Sequence, residues 1–269
     1  MNDKQDIPLK SIKNARELGG YMAADGRIVK DSVLLRSANL NGISDEDICL
    51  LTDTYRVQHI IDFRMAMEMT GAEDPPIDGA QYHHLNVIDL SNLPAQKMPE
   101  IDMKKIDLIQ IIRMSEQFGM LEEDMYIGFL ASETGKKAYE DFFRILLDSD
   151  PKRAVLWHCT SGKDRTGLAA MLLLSALGVD EETIIKDYLL TNEFNAQRIA
   201  GTRHYLKAQG YDDALIKKAV IVFDAVDERF MRNALAYLKK EYGSVNGYIR
   251  DGLNISQKEI EELKEKYLK

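Results

Sequence analysis

Residues 156–167 read LWHCTSGKDRTG. A hydrophobic run, Ala154-Val155-Leu156-Trp157, stops at His158-Cys159, and Lys163, Asp164 and Arg165 follow within six residues of the thiol. The run predicts a buried strand. Beyond the charged residues, TGLAAMLLLSALG (166–178) is so apolar that it predicts a buried helix, with Gly178 as its terminator. A cysteine in a strand–loop–helix setting faces free backbone N–H groups and the positive end of the helix dipole. Lys163 and Arg165 add two cations, and together these terms favour thiolate over thiol. The loop residues Thr160, Ser161, Gly162, Lys163 and Asp164, with the guanidinium of Arg165, then suit one task. Their donors can hold three oxygens of a phosphate while the Cys159 sulfur attacks phosphorus in line. Arginine fits this place better than lysine because its fork engages two oxygens at once. Phosphoryl transfer also needs an acid for the leaving oxygen and a base for the water that frees the enzyme. Asp164 is a candidate for both. Asp62, at the end of another expected strand, is the competing candidate or a partner that orders the loop. Thr166 is placed to hydrogen-bond the sulfur as it leaves, and His158 to orient the loop through backbone contacts. The residues therefore point to cysteine-dependent phosphomonoester chemistry.

The elements that must position these groups are legible on either side. IVKDSVLLRSA (28–38) reads as one or two short strands after the turn at Asp25-Gly26, and SDEDICLLTDTY (44–55) as a helix with Ser44 as N-cap. VQHIIDFR (57–64) and QYHHLNVIDL (81–90) are strand candidates, and GKKAYEDFFRILLD (135–148) is a helix. VDEETIIKDYLL follows the buried helix with Asp180 at its cap, and the remainder, from about 192 to 269, reads as a helical tail that ends in a Ser256-to-Glu259 capping box. Residues 91–130, with Pro94, Pro99, five methionines and helical spacing around Ile106, Ile109 and Arg113, read as a helical lid or insertion. Strands alternating with helices imply an α/β fold with a mostly parallel central sheet flanked by helices. Ligands collect outside the carboxyl ends of such strands, so Asp62-Phe63-Arg64 and His158-Cys159 are expected on one edge.

The chain has 269 residues, 45% hydrophobic and 29% charged, with a net charge of −9. That balance argues against general affinity for nucleic acid or anionic membrane, so an anionic ligand must be held by a local cationic pocket. Two cysteines, Cys49 and Cys159, exclude a disulfide framework. The start, MNDKQDIPLKSIKN, shows no signal-peptide pattern and no uncharged stretch of spanning length follows, which points to a cytoplasmic protein without stable membrane insertion.

HCTSGKDRTG resembles the Cys-x5-Arg-Thr signature of protein tyrosine phosphatases, and its Gly-Lys-Asp-Arg-Thr-Gly wording is similar to the bacterial tyrosine/serine phosphatase family with dual- and triple-specificity members. NARELGGY (14–21), LLRSANL (34–40), IIDFRMAMEM (60–69), LGVDEETIIKDYLLTN (177–192) and YGSVNGYIRDGLNIS (242–256) match further family segments, so the likeness covers most of the chain. Glu17 stands where the family has Asp, and Phe63 where it has Leu. The resemblance implies a protein-tyrosine-phosphatase-like fold over 1–269 and a metal-independent reaction without cofactor through a phosphocysteine. It implies Asp164 as general acid, and phosphorylated proteins or phosphoinositides as substrates. Lysine in the loop, as at Lys163, is shared with inositol-lipid phosphatases.

Blander readings compete at several positions. Cys49 reads as an inert core residue. Asp62 and Arg64 form either a structural ion pair at a strand end or part of the site. Arg16 and Arg36 read as ties for the N-terminal segment, and His59, His83, His84 and His158 lack the spacing of a metal site. A nucleotide-binding loop would need Gly five positions before Gly162 and Ser or Thr after Lys163, where Trp157 and Asp164 stand. Sulfur transfer would not need Asp164 and Thr166, and arsenate reduction needs further thiols. The rival of a different class is a phospho-ligand binding module without turnover, which need not keep Cys159, Asp164, Arg165 and Thr166 together.

Overall fold

A computed structural model describes residues 5–88, 108–117, 119 and 121–269. Among these residues five short strands form one sheet in the order β1-β2-β5-β3-β4. They are β1 (Arg16–Glu17), β2 (Leu34–Ser37), β3 (His59–Asp62), β4 (Gln81–His84) and β5 (Val155–His158). Only β1 runs antiparallel; β2, β5, β3 and β4 are parallel neighbours. Helical segments are α1 (Asp45–Cys49), α2 (Ala66–Met69), α3 (Leu108–Gln117), α4 (Met125–Ala131), α5 (Glu133–Asp148) and α6 (Arg165–Ala176). The tail adds α7 (Glu181–Phe194), α8 (Ala196–Ala208), α9 (Asp213–Phe223), α10 (Glu228–Tyr242), α11 (Val245–Asp251) and α12 (Gln257–Tyr267).

The apolar runs of the central strands are continuous because both faces of the sheet are covered. Successive side chains point to opposite faces. Leu34, Ile61, Val155 and Trp157 therefore enter one core, with the buried faces of α4, α5, α6 and α10–α12. Leu35, Ile60 and Leu156 enter the other, against Ile7, Leu9, Ile12, Leu40, Ile43 and Leu51. α6 runs through the larger core. Leu168, Leu172, Leu173 and Leu174 have no exposed surface, and each such side chain contributes about 2 kcal/mol by leaving water. Gly178 closes it at φ +86°, as its place after the apolar run requires.

Local signals set most ends. Ser44 accepts a hydrogen bond from the Asp47 amide, Asp180 from that of Thr183, and Ser256 makes the reciprocal box with Glu259. The segment 44–55 is helical but not uniformly so, since a π-helical turn over Leu50–Thr54 follows α1. Cys49 corrects the expectation of a core residue: it is exposed. Asp47 takes the buried place on α1, because its carboxylate accepts from the backbone N–H groups of Lys10 and Ser11.

Of the expected insertion at 91–130, residues 91–107, 118 and 120 lie outside the described residues. α3 packs on α9, and Ile112 joins Leu206, Ile216, Ala219 and Val220 in a small third core. Among the described residues no helix is long and apolar enough to cross a membrane.

Candidate active site

β5 carries His158 to the carboxyl edge of the sheet, paired with Asp62 on one side and Ser37 on the other. The two charged strand ends thus meet as their sequence positions predicted. Cys159 follows directly, 1% exposed, and residues 159–165 lead into the N-terminus of α6.

The loop is held from outside by its carbonyls. Asn39 Nδ2 donates to the Thr160 oxygen at 2.8 Å, and Asn14 Nδ2 to those of Ser161 and Gly162 at 3.1 and 3.0 Å. Arg36 Nη2 also donates to the Gly162 oxygen, at 3.0 Å. A planar trans peptide points its C=O and the following N–H in opposite directions. Fixing these three carbonyls outward therefore turns the N–H groups of Ser161, Gly162 and Lys163 inward, where they meet no acceptor among the described residues. Close approach demands the glycine: Gly162 has φ +66°, and a Cβ there would lie 2.2 Å from the Ser37 carbonyl oxygen.

The ties rest on a buried charge cluster. Asp187 of α7 bridges Arg16 (3.2 Å) and Arg36 (2.7 Å), and neither arginine has exposed surface. Arg16 Nη1 donates to Asn14 Oδ1 at 2.6 Å, orienting the amide that grips the loop. Burial, and then the neighbouring Arg16, bring the Arg36 guanidinium down to about 10. Burial pushes the Asp187 carboxyl up, but the two arginines outweigh it and hold it below its ordinary value. The reading of Arg16 and Arg36 as ties agrees with this geometry.

Arg165, 6% exposed, is oriented by a residue that reasoning from the loop alone passed over. Glu68 of α2 receives Nη1 at 2.6 Å and Nη2 at 2.8 Å, a two-point pairing. Its carboxylate also accepts from Thr160 Oγ1 (2.5 Å) and the Met65 amide (2.8 Å). Burial opposes the Glu68 charge, yet Arg165 prevails and keeps its pKa low, while Glu68 in turn raises that of Arg165. The signal was the glutamate four residues after Arg64 in IIDFRMAMEM.

Asp62 has no exposed surface and is fully engaged. Arg64 lies 2.7 Å from Asp62 Oδ2 and 2.8 Å from Asp74 Oδ2, and the Tyr82 hydroxyl donates to Asp62 at 2.6 Å. Burial works to raise its pKa, but Arg64, His158 and Tyr82 win and take it down to about 2. His158 sits in this cluster with Nδ1 3.7 Å from Asp62 and Nε2 3.0 Å from Asp74, the latter at an angle that makes no hydrogen bond. Asp62, Asp74 and His158 bring three ligand-type atoms within 4.8 Å of one another, but the Arg64 guanidinium already bridges the two carboxylates. His59 and His83 face each other at 2.9 Å, and His84 Nε2 lies 2.7 Å from the Arg64 carbonyl oxygen.

Asp164 stands at the head of α6. Lys163 Nζ lies 2.9 Å from its Oδ1 and 2.8 Å from its Oδ2, and the Tyr126 hydroxyl donates to Oδ1 at 2.7 Å. The Thr166 hydroxyl is buried and has no hydrogen-bond partner among the described residues, and the Ser161 hydroxyl makes a long contact of 3.4 Å to the Phe223 carbonyl. A cavity of about 410 Å³ lies between the N-terminal segment and the start of α8, lined by Asn14 and Arg198 but not by Cys159.

Chemically, the segment combines a buried thiol, N–H groups that meet no acceptor among the described residues, a helix N-terminus and a guanidinium clamped by Glu68, with the partly exposed Asp164 carboxyl beside them. Comparison with known proteins gives the family. The model of the tyrosine phosphatase family matches residues 7–269. The chain is 28% identical to a protein of Cupriavidus necator assigned as a tyrosine-protein phosphatase, over 98% of this chain and 89% of that protein. It is 33% identical to the triple specificity protein phosphatase PtpB of Mycobacterium tuberculosis over 42% of this chain and 43% of that one. A tyrosine-protein phosphatase of Nostoc commune is 26% identical over 86% of this chain and 72% of its own length.

Proposed function

From the premise that this chain belongs to the tyrosine phosphatase family, a family of phosphoric monoester hydrolases, we propose that it hydrolyses phosphotyrosine on proteins through a phosphocysteine at Cys159. The observation that carries the reading is the outward fixing of three loop carbonyls by Asn14, Arg36 and Asn39, which leaves the following N–H groups to grip phosphate oxygens beside the sulfur. Arg165, held by Glu68, supplies the charge that balances the dianion.

In the first step the Cys159 sulfur attacks phosphorus, the ester P–O bond breaks, and Asp164 gives its proton to the leaving phenolic oxygen. In the second, water attacks the phosphocysteine and passes its proton to Asp164. The P–S bond breaks, and thiolate and inorganic phosphate are released. The unpartnered Thr166 hydroxyl supplies a donor for the departing sulfur. Asp62 acts as a positioning residue: a carboxyl held near 2 by Arg64 is ionised at working pH and has no proton to give. Lys163 is engaged with Asp164, which favours a phosphorylated side chain over an inositol-lipid head group that would need this cation free.

Turnover of an aryl phosphate and of phosphotyrosine peptides should persist in chelator, be blocked by vanadate and vanish in Cys159→Ser. Release of no phosphate by reduced wild-type protein, together with tight phosphopeptide binding, would instead identify a binding module.

A further inference from the structure

Tyr126 of α4 and Tyr188 of α7 are each 1% exposed, and they meet the loop at one atom. The Tyr126 oxygen lies 2.7 Å from Asp164 Oδ1 and 2.8 Å from the Tyr188 oxygen. Each phenol has one proton, and Oδ1 of Asp164 is an acceptor whether or not Oδ2 carries a proton. Tyr126 must then donate to Asp164, which leaves Tyr188 to donate to Tyr126, so the direction of both hydrogen bonds is fixed. Burial, and the charge of Asp164, push both phenols well above their ordinary range, so neither loses its proton at working pH. Packing holds the pair in place: the Tyr126 ring stacks on Phe129 at 6.2 Å, meets Tyr188 edge-on at 6.1 Å and touches Phe230 at 5.7 Å.

The two oxygens of Asp164 are consequently unequal. Among the described residues Oδ1 receives both Tyr126 and Lys163, whereas Oδ2 faces Lys163 alone. We propose that Tyr126, backed by Tyr188, is a positioning residue that turns the Asp164 carboxyl so that Oδ2, not Oδ1, carries the proton delivered to the leaving oxygen. Neither phenol touches substrate; both act through Asp164. The inference rests on the reading of Asp164 as the general acid, and it adds to the site a hydroxyl from each of two helices outside the loop.

The test exploits the leaving group. Protonation matters most for a poor leaving group, so kcat and KM are measured on phenyl phosphate and on 4-nitrophenyl phosphate for wild type, Tyr126→Phe, Tyr188→Phe, Asp164→Asn and the Tyr126→Phe/Asp164→Asn double variant. Tyr126→Phe should lose about tenfold more kcat on phenyl phosphate than on 4-nitrophenyl phosphate, the scale of one hydrogen bond to a charged group, with KM unchanged. Tyr188→Phe should lose less, in the same direction. In the Asp164→Asn background the tyrosine change should add nothing. Equal losses on both esters, or losses that add to those of Asp164→Asn, would overturn the proposal while leaving the acid assignment intact. If Asp164→Asn itself fails to discriminate between the esters, the acid assignment fails and the proposal falls with it. Should Tyr126→Phe not fold, Tyr188→Phe decides by the same comparison.

Discussion

Replacing Asp187 by asparagine tests the foundation of the site without touching a loop residue. The wild-type carboxylate is 2% exposed and pairs with two guanidinium groups that have no exposure at all. An amide keeps the volume but removes the charge, leaving Arg16 and Arg36 buried side by side. Breaking a buried ion pair from one side costs about 3–5 kcal/mol, because the surviving charge stays desolvated. For a chain of this size that corresponds to a fall in melting temperature of roughly 6–20 °C. Urea unfolding and a thermal scan measure it, beside kcat on an aryl phosphate, which should fall as well because Arg36 and Asn14 lose their purchase on the Gly162 carbonyl. Glu182→Gln, which removes an exposed partner of Arg232, serves as the control and should leave the melting temperature unchanged. The pH dependence has a definite sign. A carboxyl whose folded pKa is depressed stabilises fully above its unfolded value and loses that stabilisation as pH falls through the folded one. The gap between wild type and Asp187→Asn should therefore stay constant from pH 8 down to about 4 and close only below it. A destabilisation under about 1 kcal/mol would refute the reasoning, since it would mean that the two arginines reach water or another acceptor.

Two other perturbations separate shape from charge at the loop, one within it and one on α2. Gly162→Ala places a methyl group 2.2 Å from the Ser37 carbonyl oxygen at a left-handed φ, and the resulting shift should lower kcat/KM by about 100-fold or more; near-normal kinetics would mean that the loop and β2 separate freely. Glu68→Gln removes the charge that clamps Arg165 and should cost about 10- to 100-fold in kcat/KM, with vanadate binding weakened in parallel; unchanged vanadate inhibition would show that Arg165 needs no orienting partner.

What the sequence disclosed follows from how local its cause is. The strand–loop–helix around Cys159 is one continuous segment, so hydrophobic run, charge and apolar helix stand next to each other in the text. The pairing of Asp62 with His158 could be anticipated because parallel strands gather their carboxyl ends on one edge. Caps at Ser44, Asp180 and Ser256 depend on three or four residues each. The groups that organise the loop were not so visible. Asp187 lies 151 residues from Arg36, and Tyr126 lies 38 from Asp164. Nothing in KDYLL marks an aspartate as the counter-charge of two arginines. Glu68 entered only as part of a family segment, and its grip on Arg165 needed the fold to bring α2 under the loop. Cys49 went the other way: an isolated cysteine reads as core, yet the amides of Lys10 and Ser11 draw Asp47 inward and leave the thiol outside.

The ties on the Gly162 carbonyl carry a consequence for the order of events at the ribosome. Cys159 leaves the exit tunnel before Asp187, on which the N-terminal arginines must converge. Until α7 emerges and docks, the Arg36 tie to the Gly162 carbonyl lacks the carboxylate that anchors it. A nascent chain halted before that helix would therefore hold Arg16 and Arg36 without their shared counter-charge.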